Sequence, residues 1–187
     1  MHREGAMAAI HPIVAGAKAV GEAVTVHSMD GDWAKPVEAI DEADKGSVLV
    51  VQVDGANKAV WGELASHTAM KKGLAGVVID GAIRDVDEIR RIGFPAWARI
   101  ILPNAGDPKG FGEIGPEITC GGQRVRTGDW IVADDNGVVV IPRERAQEIA
   151  NRAVDVKEQE ERLRAEIEAG KTLSSVLKLK KWEKIVG

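Results

Sequence analysis

The chain has 187 residues, enough for one domain with a sizeable core, and its 44% hydrophobic and 29% charged residues are ordinary for a globular protein. The net charge of −4 argues against a nucleic-acid binder held by a basic surface. No apolar run approaches the roughly 20 residues of a membrane helix. The single cysteine, Cys120, excludes an internal disulfide, and we therefore expect a cytoplasmic protein.

The first part of the chain is predicted to alternate strands and helices. The run at 47–53 is continuously apolar, which is typical of a strand buried on both faces. A helix at 59–73 is closed by Gly73, whose freedom suits a helix end. The other predicted elements are strands at 20–26, 74–80 and 96–102 and a short helix at 85–92. This alternation favours an α/β domain with a largely parallel sheet.

The second part of the chain is glycine-rich and then strongly charged. Strands at 130–133 and 137–141 flank a predicted hairpin turn at 134–137. A long charged helix over 143–169 is expected to stop at Gly170 and to pack on a neighbour or on the sheet. Because no repeat or low-complexity linker interrupts the chain, we predict one domain over 1–187 with a helical appendage from about 143.

Several motifs are better explained by structure than by chemistry. The G-x-G-x-x-G match at 110–115 lacks the preceding strand and following helix of a dinucleotide site, so a loop is predicted. Asp134 and Asp135 lack the closing glutamate of a calcium loop and are predicted in a turn. Cys120 is expected to be a small buried strand residue. His67 follows Glu63 by four, so the two share a helix face, a weak signal for a metal ligand.

Arg84 and Asp85 form the candidate with most chemical content. They follow a predicted buried strand and open a helix, where ligands bind in open α/β sheets. Arg84 offers a planar fork for a carboxylate, and Asp85 is a hard oxygen ligand suited to Mg²⁺ or Mn²⁺. A structural alternative stays open, because Asp85 and Glu88 also match a helix capping box.

Around these residues the sequence resembles a known family. It is similar to the proteins related to regulator of ribonuclease activity A, which include the 4-hydroxy-4-methyl-2-oxoglutarate aldolases. The aldolases carry an acid, twenty intervening residues, Arg-Asp, two more residues and an acid. Glu63, Arg84-Asp85 and Glu88 reproduce that pattern, and similarity runs from AMAAIHPI to CGGQRVRTGDWIVADDNGVVVIP.

The resemblance implies a swivelling β/β/α fold, assembled as a trimer or as a hexamer made of two trimers, with sites at subunit interfaces. In such a site Arg84 grips the substrate, and Asp85 holds a divalent metal cation, Mg²⁺ or Mn²⁺, largely through waters. Pyruvate is expected to lie against the start of the helix that contains Gly62, Glu63, Leu64 and Ala65. An acid on the long C-terminal helix, such as Glu160, is expected to reach a neighbour's site.

The implied activity is that of a class II aldolase, which cleaves 4-hydroxy-4-methyl-2-oxoglutarate or a related 2-oxo acid and releases pyruvate. Decarboxylation of oxaloacetate passes through the same enolate, so one site can run both reactions. Position 63 is Glu where the aldolases usually have Asp, which predicts a different substrate or a lower efficiency. The alternative is a non-catalytic oligomer that binds a ribonuclease, as the namesake of the family does. No nucleic acid or membrane is expected as a partner.

Overall fold

The computed structural model describes residues 5–177, and the basic tail at 178–187 lies outside them. Contacts divide the chain into two compact units, one up to Glu144 and one from Arg145 onward. Within the described residues, no helix is both long enough and apolar enough to cross a membrane.

The first unit is built on a central mixed sheet. Its described strands follow the order β1-β6-β5-β3-β2-β10-β11, with β4 on β5 and β7 on β2. The bounds are β1 His11–Pro12, β2 Ala19–Met29, β3 Val48–Asp54, β4 Ala59–Trp61, β5 Gly76–Ile83, β6 Ala96–Ile101, β7 Gly112–Ile114, β10 Trp130–Asp134 and β11 Gly137–Ile141. A separate hairpin consists of β8 Ile118–Cys120 and β9 Gln123–Val125.

Strands β2, β3, β5 and β6 run parallel, as does β4 beside β5, whereas β1, β7, β10 and β11 pair antiparallel. The carboxyl ends of the parallel strands therefore meet at one edge. Loops that leave this edge carry Arg84 and Asp85 directly after β5. This edge is where open α/β sheets place their ligands.

Three helices belong to the first unit, α1 Ala34–Glu42, α2 Glu63–Lys72 and α3 Val86–Ile92. Helix α2 ends at Gly73, whose φ of 84° is left-handed and whose N–H bonds the carbonyls of Ala69 and Met70. Glycine adopts this left-handed conformation without the strain that a side chain would add, so it closes the helix readily.

Two hydrophobic cores lie on opposite faces of the sheet. One core packs helix residues such as Ile40, Ala69 and Ile89 against Val51 and Ile79. The other packs the hairpin and the β10–β11 pair on the second face, with Trp97 and Cys120 fully buried there. A hairpin layer, a sheet and a helical layer follow one another, which confirms the β/β/α architecture expected from the resemblance.

Two polar side chains of the sheet hold the hairpin in place. Gln52 and Asp80 are direct neighbours on β3 and β5. The Oε1 of Gln52 accepts the N–H of Thr119 at 2.9 Å, and the Oδ2 of Asp80 accepts the N–H of Gly121 at 2.7 Å. Asp80 is also ion-paired with Arg99, so its buried charge is compensated.

The second unit contains α4 Ala146–Glu168 and the short α5 Leu173–Val176, preceded by a 3-10 turn at Arg143–Arg145. Helix α4 has 23 residues, none of which is buried. Ion pairs four residues apart follow its surface, as between Arg162 and Glu158, and such pairs stabilise an exposed helix. The predicted long helix is therefore present.

The structure corrects some of the predicted elements. Residues 59–61 form β4 rather than the first turn of a helix, and their partner is β5. Helix α1 and the strands β1, β7 and β9 had no counterpart in the prediction, whereas the buried strand position expected for Cys120 is confirmed in β8. The sheet is mixed rather than largely parallel, because each end of it carries antiparallel strands. The hairpin turn after Asp134 is confirmed.

Candidate functional site

A cavity of about 210 Å³ lies at the carboxyl edge of the sheet. The start of α2, the loop after β5, strand β4 and the start of α1 provide its walls. It brings together the six residues that the resemblance implies for substrate and metal binding, which are Gly62, Glu63, Leu64, Ala65, Arg84 and Asp85, whereas His67 and Glu160 do not line it. The lining residues are Trp33, Val37, Ala59, Val60, Trp61, Gly62, Glu63, Leu64, Ala65, Thr68, Arg84 and Asp85.

Asp85 has an unusual backbone and an unexpected partner. Its φ of 55° and ψ of 38° are left-handed, which is uncommon for a residue with a side chain. It precedes α3, yet its side chain makes no capping hydrogen bond to that helix. Its Oδ2 instead accepts the N–H of Glu63, at 3.3 Å, at the start of α2. The capping-box hypothesis for Asp85 and Glu88 is therefore wrong.

Arg84 is held by its backbone while its guanidinium stays available. The Arg84 N–H donates to the carbonyl of Trp61 at 3.0 Å. Its Nε lies 3.6 Å from the Oδ2 of Asp85, and 42% of the side chain is exposed. Within the described residues the guanidinium makes no hydrogen bond to another group, so it can meet a bound carboxylate.

Gly62 leaves the space that these two side chains occupy. A Cβ at Gly62 would lie 2.6 Å from the Oδ2 of Asp85 and 3.2 Å from the Cγ of Arg84. A Cβ atom almost never comes within 2.6 Å of a non-bonded oxygen, so any side chain at position 62 would displace the carboxylate of Asp85. Glycine at position 62 is thus required by the packing of the Arg84-Asp85 pair.

A buried hydrogen-bond chain fixes the start of α2. The indole Nε1 of Trp61 donates to the Oγ of Ser66 at 2.8 Å, and that hydroxyl donates to the carbonyl of Gly62 at 3.0 Å. The first N–H groups of a helix have no partner inside it. The N–H of Glu63 donates to Asp85, and the N–H groups of Leu64 and Ala65 remain to bind an anion.

Glu63 and His67 form a pair on one turn of α2. The Nε2 of His67 lies 3.3 Å from the Oε1 of Glu63. This confirms the shared helix face that the spacing of four predicts. Across the described residues, no group of three or more His, Cys, Asp or Glu side chains is arranged to hold a metal ion. At 3.3 Å, the His67 ring is close enough to the Glu63 carboxylate to restrict its orientation.

The far wall of the cavity is apolar and was not predicted. Trp33 and Val37 come from the start of α1, and Val60 comes from β4. The indole Nε1 of Trp33 already donates to the carbonyl of Gly106 at 3.0 Å, so the ring presents carbon to the cavity. Neither Trp33 nor Val37 belongs to a motif, because the fold alone brings α1 beside α2.

The buried carboxylate of Asp32 anchors the segment before Trp33. It accepts backbone N–H groups of Ala34, Lys109 and Phe111 at 3.0, 3.1 and 2.7 Å. Burial acts to raise the pKa of Asp32, but these N–H donors and that of Gly110 together hold the pKa below its ordinary value. Asp32 therefore stays ionised and ties the loop at 109–111 to α1.

The donor set suits a divalent cation held by few protein ligands. Asp85 keeps Oδ1 free of hydrogen bonds within the described residues. Mg²⁺ is commonly bound by one or two carboxylates, with waters and substrate oxygens completing the shell. A single free carboxylate oxygen beside an anion-binding helix start fits that mode, and it does not fit a structural zinc site.

The remaining motifs have structural roles. Cys120 is fully buried, and burial raises the pKa of its thiol far above the ordinary value. The Oδ1 of Asp134 accepts the N–H of Asn136 in the hairpin turn. The glycine-rich segment at 110–115 contains β7, which pairs with β2, and no helix follows it. Glu160 lies on α4 in the second unit.

Comparisons with known proteins identify the family of the chain. The family model RraA-like, described as Aldolase/RraA, matches residues 1–140. An uncharacterised protein of Methanocaldococcus jannaschii is 45% identical over 91% of this chain and 83% of its own. A Halalkalibacterium halodurans protein provisionally named 4-hydroxy-4-methyl-2-oxoglutarate aldolase is 36% identical over 77% of this chain and 69% of its own.

A solved structure shares the fold. It is that of RraAS2 from Streptomyces coelicolor, described as an unusual member of the RNase ES inhibitor RraA family. It superposes with a TM-score of 0.77 at 31% identity, covering 88% of this chain and 86% of the other. The relatives thus include both a protein with an aldolase name and a member of an inhibitor family.

Proposed function

Because the chain belongs to the Aldolase/RraA family, we propose that it is a divalent-metal-dependent lyase of the class II aldolase type. It cleaves 4-hydroxy-4-methyl-2-oxoglutarate or a related 2-oxo acid and releases pyruvate. The observation that carries the proposal is the Arg84-Asp85 pair, which lines one cavity with the start of α2. The aldolase name of the Halalkalibacterium relative supports the same reaction class.

The substrate carboxylate binds between Arg84 and the first turn of α2. The guanidinium supplies a two-pronged donor, and the N–H groups of Leu64 and Ala65 supply two more. Gly62 and Glu63 complete this wall of the cavity. The 2-oxo acid end is thereby fixed, and the bond to be broken points toward the rest of the cavity.

Asp85 is the residue that would hold the cation, Mg²⁺ or Mn²⁺. When bound there, the cation supplies a positive charge beside the 2-oxo group, where negative charge develops during cleavage. The left-handed backbone of Asp85 and its bond to Glu63 hold the carboxylate at the cavity wall. The short distance to Arg84 keeps both positive groups on the same end of the substrate.

Glu63 is the second carboxylate of the cavity and the candidate for proton transfer. It takes the proton of the substrate hydroxyl as the carbon–carbon bond breaks and returns a proton to the methyl carbon of pyruvate. His67, 3.3 Å away, orients it. Oxaloacetate reaches the same enolate by loss of CO₂, so we include decarboxylation in the proposal.

The alternative function is a non-catalytic regulator that binds a ribonuclease, which the inhibitor-family description of the Streptomyces neighbour favours. A pure binding protein has no need of a free arginine and a free carboxylate oxygen in one cavity. We therefore place the lyase first. We also propose a homo-oligomer, a trimer or hexamer, with the long helix α4 available for contacts between copies.

A screen of 2-oxo acids with added Mg²⁺ or Mn²⁺, read as pyruvate release, tests the lyase directly. The panel includes 4-hydroxy-4-methyl-2-oxoglutarate and oxaloacetate. Metal-dependent release from at least one compound is expected. A pull-down that recovers a ribonuclease, together with no turnover across the panel, would reverse the order of the two functions.

A further inference from the structure

We infer, on the premise of the proposed lyase, that Trp33 and Val37 form the subsite for the methyl group on C4 of the substrate. This methyl group is what distinguishes 4-hydroxy-4-methyl-2-oxoglutarate from 4-hydroxy-2-oxoglutarate. The inference deepens the proposed function, because it assigns substrate specificity to two side chains that belong to no motif of the sequence.

The cavity extends along α2 beyond the place where the 2-oxo acid end is proposed to bind. Gly62 and Glu63 line it at the start of the helix, and Thr68 lines it more than one turn further on. The rise from residue 62 to residue 68 is about 9 Å along the helix axis. C4 of the substrate is three carbon–carbon bonds of about 1.5 Å each from C1. A substrate whose carboxylate is held at the helix start therefore has C4 within the same cavity, past the charged end.

Trp33 and Val37 present apolar surface to this cavity from one face of α1. The N–H of Val37 donates to the carbonyl of Trp33 at 3.3 Å, so the two side chains are one helical turn apart. Both are half-buried, and both line the cavity together with the buried Val60. Apolar surface of this kind gains free energy when a methyl group covers it.

This wall is held in place before any substrate binds. The Nε1 of Trp33 donates to the carbonyl of Gly106 at 3.0 Å, which fixes the ring. The buried carboxylate of Asp32, directly before Trp33, accepts the N–H of Ala34, directly after it, at 3.0 Å. A preformed apolar surface loses little conformational entropy when a ligand covers it. Trp33 and Val37 can therefore distinguish substrates that differ by one methyl group.

The chemistry at C4 leaves the methyl group for this wall. In 4-hydroxy-4-methyl-2-oxoglutarate, C4 carries a hydroxyl, a methyl and a carboxylate besides C3. The hydroxyl proton passes to Glu63, the C3–C4 bond breaks, and its electron pair forms the enolate of pyruvate. C4 becomes the keto carbon of a second pyruvate, and a proton returned to C3 completes the first. The carboxylate on C4 points to the open mouth of the cavity, where solvent or a second copy of the chain can meet it, so the methyl contacts Trp33 and Val37.

The test measures kcat/KM for 4-hydroxy-4-methyl-2-oxoglutarate and for 4-hydroxy-2-oxoglutarate, using the full chain with Mg²⁺. The two compounds differ in intrinsic reactivity, so the readout is the ratio of the two values in each variant relative to the wild type. Val37→Ala removes two methyl groups from the wall and should lower the ratio by about tenfold, the low end of what one methylene contributes in a hydrophobic pocket. Trp33→Ala, checked for folding by circular dichroism, should lower it at least as far. Val20→Ala, the same change as at Val37 on an exposed position of β2, is the control and should keep the wild-type ratio.

The outcomes separate this inference from the proposed function. Equal losses for both compounds in Val37→Ala would leave the ratio unchanged and overturn the inference, because the wall would then be only structural. A wild type that releases pyruvate from other 2-oxo acids but not from the methyl compound would also overturn it and leave the lyase standing. If Trp33→Ala does not fold, the result for Val37→Ala decides. No pyruvate from any 2-oxo acid, oxaloacetate included, would remove the lyase and the inference together.

Discussion

The carboxylate of Asp85 accepts a hydrogen bond from the backbone N–H of Glu63, 22 residues earlier in the chain. One side chain thus joins the loop after β5 to the first turn of α2. The residues proposed to hold the metal, to grip the carboxylate and to move a proton are connected through this bond. A change at any one of them is therefore expected to disturb the others.

Asp85→Asn distinguishes a metal-binding role of Asp85 from its hydrogen bond to the first turn of α2. An asparagine oxygen can still accept the N–H of Glu63, because Asn caps a helix about as well as Asp. The anionic oxygen that a hard cation prefers is lost. We expect turnover to collapse while the melting temperature without metal changes little.

The measurement for Asp85 is paired. Turnover is followed against Mg²⁺ or Mn²⁺ concentration, and thermal melts are recorded with and without metal for both proteins. A chelator should abolish wild-type turnover, and added metal should restore it. Full activity of Asp85→Asn would refute the metal-dependent mechanism.

Arg84→Lys should lose most activity and keep the fold. Lysine preserves the charge but not the two-pronged geometry. Loss of a charge-assisted hydrogen bond costs roughly 1.5–3 kcal/mol, or about ten- to hundredfold in rate. Steady-state kinetics and circular dichroism check this, and near-normal turnover of every substrate found would show that Arg84 is not the clamp.

Gly62→Ala should impair the site by a steric clash alone. The added Cβ would meet the Oδ2 of Asp85 at 2.6 Å and push the carboxylate aside. We expect activity to fall by about tenfold or more, and the free energy of unfolding to fall by no more than about 1 kcal/mol, the scale of a change at a helix cap. Met70→Ala, on an exposed position of the same helix, is the control and should keep full activity. Equal activity of the two variants would mean that the position of Asp85 is unimportant.

Asp32→Asn should destabilise the first unit in a pH-dependent way. An amide cannot replace both acceptor oxygens, so we expect a loss of about 2 kcal/mol at neutral pH. The pKa of Asp32 is lowered in the folded protein. Its contribution is therefore full above the pKa of the unfolded state, about 3.9, and is lost as pH falls through the folded value.

Urea unfolding across this pH range measures the effect. The gap between wild type and Asp32→Asn should narrow as the pH falls below about 4. Asp41→Asn, on an exposed position of α1, is the control and should stay within about 0.5 kcal/mol of the wild type. A gap that is constant with pH would assign the loss to packing rather than to the charge.

The proposed assembly predicts a mass of three or six chains in solution. The chain mass is 20.0 kDa, and a 23-residue helix without a buried residue has apolar side chains to cover, Val154 and Ile167 among them. Light scattering at several concentrations measures the mass. A value of one chain throughout would contradict both the oligomer and the expected approach of Glu160 to a neighbour's site.

Much of the site was predictable because its residues are close in sequence to clear elements. The buried run of β5 places Arg84 and Asp85 at a strand end, and the spacing of Glu63 and His67 places them on one helix face. The bond between Asp85 and Glu63 was not predictable, because a local pattern matches Asp85 only to the helix that follows it.

The apolar far wall of the cavity and strand β4 were not predicted from the sequence, for a related reason. Residues 59–61 continue a helical pattern in sequence, but pairing with β5 overrides that preference and makes them a strand. Trp33 reaches the cavity because α1 packs beside α2, and no short motif records that contact. Long-range pairing decided both features.

The bonds from Gln52 and Asp80 to the hairpin have a consequence for the only thiol of the chain. Cys120 lies between the two hydrogen-bonded amides, Thr119 and Gly121. A reagent can reach its sulfur only when the hairpin lifts from the sheet. The rate of thiol labelling therefore measures how often the hairpin opens locally. Weakening either of the two hydrogen bonds should raise that rate while the helical layer stays closed.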